Sequence, residues 1–148
     1  MCGIMGYCGI DEAALRVLDG LRELEYRGYD SAGVAVMAGD GRIEVRKDVG
    51  QIEEVATRHR LPEMGGGVAL GHTRWATHGG VTQQNAHPHT DGSGGVAVVH
   101  NGIVENFQDL RMKLAGEGVV FTSETDTEVI PHLIARTLHE GASTLEQA

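Results

Sequence analysis

Met1-Cys2-Gly3-Ile4-Met5-Gly6 opens the chain and decides how the rest is read. A cysteine directly after the initiator methionine is small enough for methionine aminopeptidase to remove Met1, which leaves Cys2 with a free α-amino group. An α-amine titrates near pH ~7.7–8.0 and a thiol near ~8.5, so close to neutrality the amine can take the thiol proton directly or through one water. Nucleophile and base then sit on one residue, the terminal amine standing where a catalytic dyad would place a histidine. Residues 3–9 are apolar and punctuated by glycine, which predicts a buried strand with Cys2 at its free end.

Composition narrows the classes that remain. A chain of 148 residues fits one domain and can bury a core. Hydrophobic content of 41% is that of a soluble globular protein, and with aromatics at 4% the core must rest on Val, Ile, Leu and Ala. A formal charge of -9 opposes a broad phosphate-binding surface, so no nucleic-acid partner is expected. No run approaches the ~20 apolar residues of a membrane helix and no signal-peptide pattern is present, which makes a cytoplasmic location the default. Cys2 and Cys8 lie on one extended segment, too far apart to bridge, and Cys8 reads as a small buried hydrophobe.

Beyond the first strand, residues 11–25 carry Leu15, Leu18, Leu21 and Leu24 at three-residue steps behind Asp11, predicting an amphipathic helix with Asp11 as N-cap. Residues 26–33 read as a loop feeding a strand at Val34–Met37. Gly39-Asp40-Gly41 supplies a hairpin turn. A short helix at 51–60 precedes Pro62 and the surface loop Gly65-Gly66-Gly67, then a strand at 68–71. His72 to Gly80 shows no hydrophobic period and has the composition of a loop that closes on a ligand. Val96–Val99 predicts another buried strand. Helices follow at 106–116, with Phe107, Leu110 and Leu114 on one face, and at 127–139, with Val129, Ile130, Leu133, Ile134 and Leu138 on another. Ser123–Glu128 forms a capping sequence between them, and Ser143-Thr144-Leu145-Glu146 has the pattern of a further cap, as though the chain were the start of something longer.

Hydrolysis of the side-chain amide of a free amino acid requires a nucleophile, two donors for the oxyanion, a cation for the α-carboxylate and an anion for the α-ammonium. Cys2, Asn101 with Gly102, Arg74 and Asp126 fill those parts, each at a strand end or loop. Thr77 and His78 could add hydrogen bonds beside Arg74. Each residue also has an ordinary account. Asn101-Gly102 can be a turn, Arg74 a surface guanidinium, Asp126 a helix N-cap, and Trp75 either a lid or a core ring. His72, His78, His87, His89 and His100 match no helix-borne metal-ligand spacing, so no metal is expected, and packing with hydrogen bonds to loop carbonyls explains them.

The runs Met1–Ile4, Leu24–Gly33, His72–Gly79, Asn85–His89, His100–Asn106 and Ser123–Glu128 together closely resemble the class II glutamine amidotransferase domain of the glucosamine-6-phosphate synthase family (glutamine–fructose-6-phosphate aminotransferase, isomerising). Amidophosphoribosyltransferases share Cys2-Gly3-Ile4 and Asn101-Gly102 but usually carry other versions of the Tyr26–Asp30 and Arg74–His78 loops. The resemblance implies an α+β fold, the four-layer αββα sandwich of N-terminal nucleophile (Ntn) hydrolases, C-terminally incomplete because the family's glutaminase half continues beyond position 148. Residues 1–148 would be the N-terminal part of the glutaminase domain, with the sugar-isomerase domain absent.

It further implies Cys2 as nucleophile and Asn101 with Gly102 as oxyanion hole. Arg74, Thr77 and His78 would hold the glutamine α-carboxylate and Asp126 the α-ammonium, Trp75 would belong to the closing loop, and Arg27 would stand behind the amine. The partners implied are L-glutamine and, through the isomerase half of a homo-oligomeric enzyme, fructose 6-phosphate, with no cofactor. Two other readings stand beside it: a glutamine-binding fragment with weak catalysis, and the glutaminase domain of another class II amidotransferase.

Overall fold

The computed structural model of the chain describes residues 2–75, 80–142 and 144–145. β1 (Gly3–Cys8) is the edge of a four-stranded antiparallel sheet completed by β2 (Ser31–Met37), β3 (Ile43–Val49) and β4 (Val68–Arg74) in the order β1-β4-β2-β3. Its register pairs Gly3 with Thr73, and Ser31 of β2 faces Arg74, so residue 2 falls beside the C-terminal end of β4. The head of the chain and the start of the loop after β4 are thereby neighbours.

One face of this sheet is covered by α1 (Ala13–Leu24) and α2 (Ile52–Arg58), whose Val17, Leu18, Leu21, Ile52 and Val55 form the core with Val34, Val36 and Ala69. Glycine at position 71 lets α1 approach β4, since a Cβ there would lie 2.7 Å from Leu21 Cδ1. The opposite face looks toward a two-stranded sheet of β5 (His89–Thr90) and β6 (Ala97–Val98), and α4 (Val129–His139) lies against both of those strands with α3 (Phe107–Gly116) beside it. Helices, sheet, sheet, helices is the αββα order of an α+β Ntn sandwich.

Several expectations are corrected. Asp11 does not cap α1: the N-cap is Glu12, in the left-handed region at φ 54, and Asp11 instead accepts the Glu12 N–H at 2.8 Å. Leu15 is exposed while Ala14 and Val17 are buried, because a strict three-residue step drifts off the face that a 3.6-residue period keeps. β1 lies where it is expected but is not a buried strand: as the sheet edge it buries only Gly3, with Ile4, Gly6 and Cys8 exposed, so Cys8 is not a buried hydrophobe. β2 begins at Ser31, and β4 runs on through His72, Thr73 and Arg74, so the ligand-closing loop expected from 72 starts only at Trp75. Around 96–99 only Ala97–Val98 is strand, and it is half-buried. On α3 only Leu114 is buried, and on α4 Val129, Pro131 and His132 are, the other apolar side chains of that face being half-buried.

The 123–128 cap is also built differently. No side chain caps α4; the Glu128 carboxylate turns back to accept from the Ser123 N–H at 2.7 Å, the Ser123 hydroxyl at 2.6 Å and the Thr122 N–H at 2.8 Å. The expected cap at 143–146 falls partly on Ser143 and Glu146, outside the described residues. No helix among the described residues is long and apolar enough to cross a membrane.

Candidate active site

Sheet periodicity builds the site. Alternate residues of β4 face opposite ways, so Ala69 and Gly71 meet the helices while His72 and Arg74 look into the space between the sheets. A cavity of about 350 Å³ opens there, at the small end of the ~300–1,000 Å³ range of small-molecule sites. Cys2, Arg27, Arg74, Trp75, Asn101, Gly102 and Asp126 all line it. Residues as far apart in sequence as Cys2 and Asp126 are thus gathered at one place. Thr77 and His78 lie outside the described residues.

The Cys2 thiol is bracketed by one residue: the Trp75 N–H donates to Sγ at 3.2 Å, and Sγ reaches the Trp75 carbonyl at 3.5 Å. Trp75 itself is 44% exposed, its ring edge-on to Tyr29, so it is a rim residue and not a core ring. Across the cavity the Asn101 amide donates to the Cys2 carbonyl at 3.0 Å, and its oxygen lies 2.9 Å from His72 Nε2. Gly102 follows at φ 155, where a Cβ would sit 2.7 Å from His100 Nε2. Glycine is therefore required at that position, and its bare backbone faces the cavity.

The two charges stand at the same cavity. Arg74 is 5% exposed and donates to the Gly80 carbonyl at 3.2 Å. Burial lowers its pKa, opposed by the negative potential of Cys2, Asp30 and Asp126. Asp126 is buried, with one carboxylate oxygen accepting the Val104 N–H at 2.7 Å. A guanidinium and a carboxylate at one small cavity can grip the two poles of a zwitterionic amino acid. Arg27, half-buried in the turn Glu25–Arg27, completes that side.

Composition and spacing did not single out the buried polar layer behind these groups. The rings of His72, His87 and His89 pack in series, the first pair tilted and the second edge-on, with centroids 4.2 Å and 4.6 Å apart. His89 then contacts Thr125 Oγ1 at 3.0 Å, Thr125 contacts Ser123, and Ser123 donates to Glu128. Burial depresses all three imidazoles, His72 to about 4 and His89 to about 3, so all are neutral near pH 7. Lys47, held by the carbonyls of Gln84, Ala86 and Pro88, is lowered to about 8 by burial, and the nearby Glu128 charge works against that shift. Among the described residues, the expected bonds to loop carbonyls are replaced by bonds to side chains for His72 (Asn101), His89 (Thr125) and His100 (Thr127). Among the described residues no three His, Cys, Asp or Glu are arranged around a metal-sized point. The sequence signal that pointed to this layer was the density of His in 72–100, with no apolar period to bury them otherwise.

Sandwich order and a cysteine thiol at the head of an inner-sheet strand define the Ntn class. Solved structures agree: the glutamine phosphoribosylpyrophosphate amidotransferase from B. subtilis superposes with TM-score 0.79 at 32% identity, and an allosteric regulatory enzyme of purine biosynthesis with TM-score 0.81 at 33%. Each comparison covers 99% of this chain and 31% of the other.

In sequence, the profile of the glutamine amidotransferase domain family matches residues 54–147, and the chain belongs to that family. Glutamine–fructose-6-phosphate aminotransferase (isomerizing) of Symbiobacterium thermophilum is 59% identical over 91% of the chain, and that of Pyrococcus horikoshii 52% over 93%. The chain spans 22% and 23% of the length of those two relatives.

Proposed function

We propose that the chain hydrolyses L-glutamine to glutamate and ammonia. The observation that carries this reading is the meeting of Cys2, Asn101-Gly102, Arg74 and Asp126 at one cavity. With Met1 removed, the Cys2 amine takes the thiol proton and Sγ attacks the γ-carbonyl carbon of glutamine. The oxyanion is met by the second N–H of the Asn101 amide and the Gly102 N–H. Collapse expels ammonia, which carries away the proton held by the amine, and leaves a γ-glutamyl thioester. Water adds to that thioester through a second oxyanion and releases glutamate and the thiol.

Arg74, with Thr77 and His78, receives the α-carboxylate, and Asp126 receives the α-ammonium. Trp75 leads the loop that covers the ligand, while Arg27 supports the amine side. No resident cofactor enters these steps. In the complete cytoplasmic enzyme, a homo-oligomer on this reading, residues 1–148 serve as the first part of the glutaminase domain. The ammonia passes to fructose 6-phosphate in a sugar-isomerase domain outside this chain. Identity to the glutamine–fructose-6-phosphate aminotransferases supports that assignment over amidophosphoribosyltransferase.

Glutamine-dependent ammonia release, measured on this chain and on a longer form that includes the following residues, tests the reading. Cys2→Ala is expected to abolish release, by about 10⁴-fold or more, with the melting temperature unchanged. Undiminished release from that variant, or an intact mass that retains Met1, sinks it.

A further inference from the structure

We propose that His72 is the positioning residue of the oxyanion hole: its Nε2–H holds the Asn101 amide with the NH2 end toward Cys2 and the cavity. The proposal rests on the glutaminase reading for the identity of the oxyanion, but its geometry is independent of it. A primary amide is a two-ended group whose ends differ only in hydrogen bonding, so its neighbours decide which way it points. On one side of Asn101 stands the Cys2 carbonyl, 3.0 Å from Nδ2, which can only accept. On the other stands His72 Nε2, 2.9 Å from Oδ1. Were the Nε2 proton absent, the imidazole lone pair would call for the NH2 end, and the amide would be pulled around to face its oxygen toward Cys2. A carbonyl oxygen facing the nucleophile would repel the oxyanion that the site must stabilise.

The surroundings of His72 select the required tautomer. Nδ1 is buried with no hydrogen-bond partner, which suits a bare nitrogen and would strand an N–H. Burial, with Arg74 and His100 nearby, keeps the ring neutral at pH 7, so it carries one proton and that proton is at Nε2. The ring is also held in place. Its backbone pairs with Ile4 and Gly33 on either side, and its ring packs against the tilted His87 ring at 4.2 Å between centroids. The histidine stack is therefore the mount of an orienting hydrogen bond, and Asn101 is only as well aimed as that mount allows.

The wild-type chain supplies the first test, which requires no variant to fold. ¹⁵N NMR of the imidazoles at pH 7 is expected to show His72 with a protonated Nε2 and a bare Nδ1; the opposite tautomer overturns the proposal. The second test is kinetic. His72→Leu is expected to lower kcat for glutamine by about 10²-fold, the cost typical of a lost oxyanion donor, with KM within about threefold. Affinity for a glutamine γ-aldehyde, which adds to the Cys2 thiol as a tetrahedral adduct, should fall by the same factor, while glutamate affinity is unchanged. His72→Gln, which returns an N–H near the Nε2 position, should recover at least about tenfold of the loss.

Equal loss of glutamate and aldehyde affinity in His72→Leu, or no recovery in His72→Gln, would reduce His72 to a packing role and overturn the proposal. A wild-type chain that binds the aldehyde in a His72-dependent way but releases no ammonia would sink the glutaminase reading and support the positioning role. Ammonia release that is indifferent to His72 would do the reverse.

Discussion

The two faces of the four-stranded sheet are built from the same strands and have little else in common. Toward α1 and α2, β2 and β4 present Val34, Val36, Ala69 and Gly71, and the contacts are apolar and close. Toward the second sheet, the alternate residues include His72 and Arg74, backed by Lys47, His87 and His89, and the contacts are hydrogen bonds, ring stacks and buried charge. Apolar burial is non-directional and roughly proportional to area, so the helix face supplies stability without fixing any single atom. Hydrogen bonds in a buried layer contribute modestly to stability but specify orientation, so the other face supplies aim. Cys2, at the end of the edge strand, is fixed by the first face and served by the second.

This division can be broken by substitution on either side. Leu18 is fully buried between α1 and the sheet. Leu18→Ala is expected to cost about 2–5 kcal/mol of unfolding free energy, seen in the denaturant midpoint, while kcat per folded molecule stays within about twofold. A large kcat loss at unchanged stability would mean that the helix face also aims the site. Gly102→Ala is the converse case. A methyl there requires φ near 155 and approaches His100 Nε2 to 2.7 Å, so the loop must shift and carry the Gly102 N–H with it. The expected result is a kcat lower by about 10²-fold, roughly 2.7 kcal/mol of transition-state stabilisation, with a smaller change in global stability.

The same division explains what could be read from the amino acids alone. Elements of the helix face follow hydrophobic period: β1, α1, the hairpin and α2 lie close to where that period places them, with errors at helix ends and at Leu15, where a three-residue count replaced the true repeat. The polar face defeats the same rule. Apolar alternation ends β4 at Gly71, because His72-Thr73-Arg74 carries none, although all three are buried strand residues. The burial of His72 is sustained by Asn101, 29 positions away, which a local window cannot see, and that of Arg74 in part by the Gly80 carbonyl. Site residues were legible only as motifs, since nothing in the spacing of Cys2, Arg74, Asn101 and Asp126 says that they meet. The Asn101-His72 bond was not legible at all. Cys8 failed for a simpler reason: composition favours burying a cysteine, but an edge strand has one flank with nothing on it.

Acid titration should sharpen the comparison further, because the buried imidazoles lie on the polar face, while the helix face carries the Asp48–His59 pair at the end of α2. His72, His87 and His89, together with His132 against Phe121, are depressed below the usual histidine pKa of 6.5, chiefly by burial. A depressed imidazole is neutral in the folded chain at pH values where the unfolded chain has already bound a proton. The unfolded state therefore holds more protons below 6.5, and stability falls as pH drops from 6.5 toward 4, each histidine adding up to about 1.4 kcal/mol per pH unit. The lowered carboxyls of Asp48, Glu128 and Asp91 lose their contribution only as pH falls through the carboxylate range, so the interval from 6.5 to 4.5 is where the depressed histidines act. His87→Phe keeps a ring between His72 and His89 and removes one proton from the balance. Urea unfolding at intervals across pH 6.5–4.5 is expected to show a shallower loss of stability in that variant, by about one proton's worth of slope. An unchanged slope would mean that His87 is already charged in the folded chain, and that the layer is held by a counter-charge and not by neutral stacking.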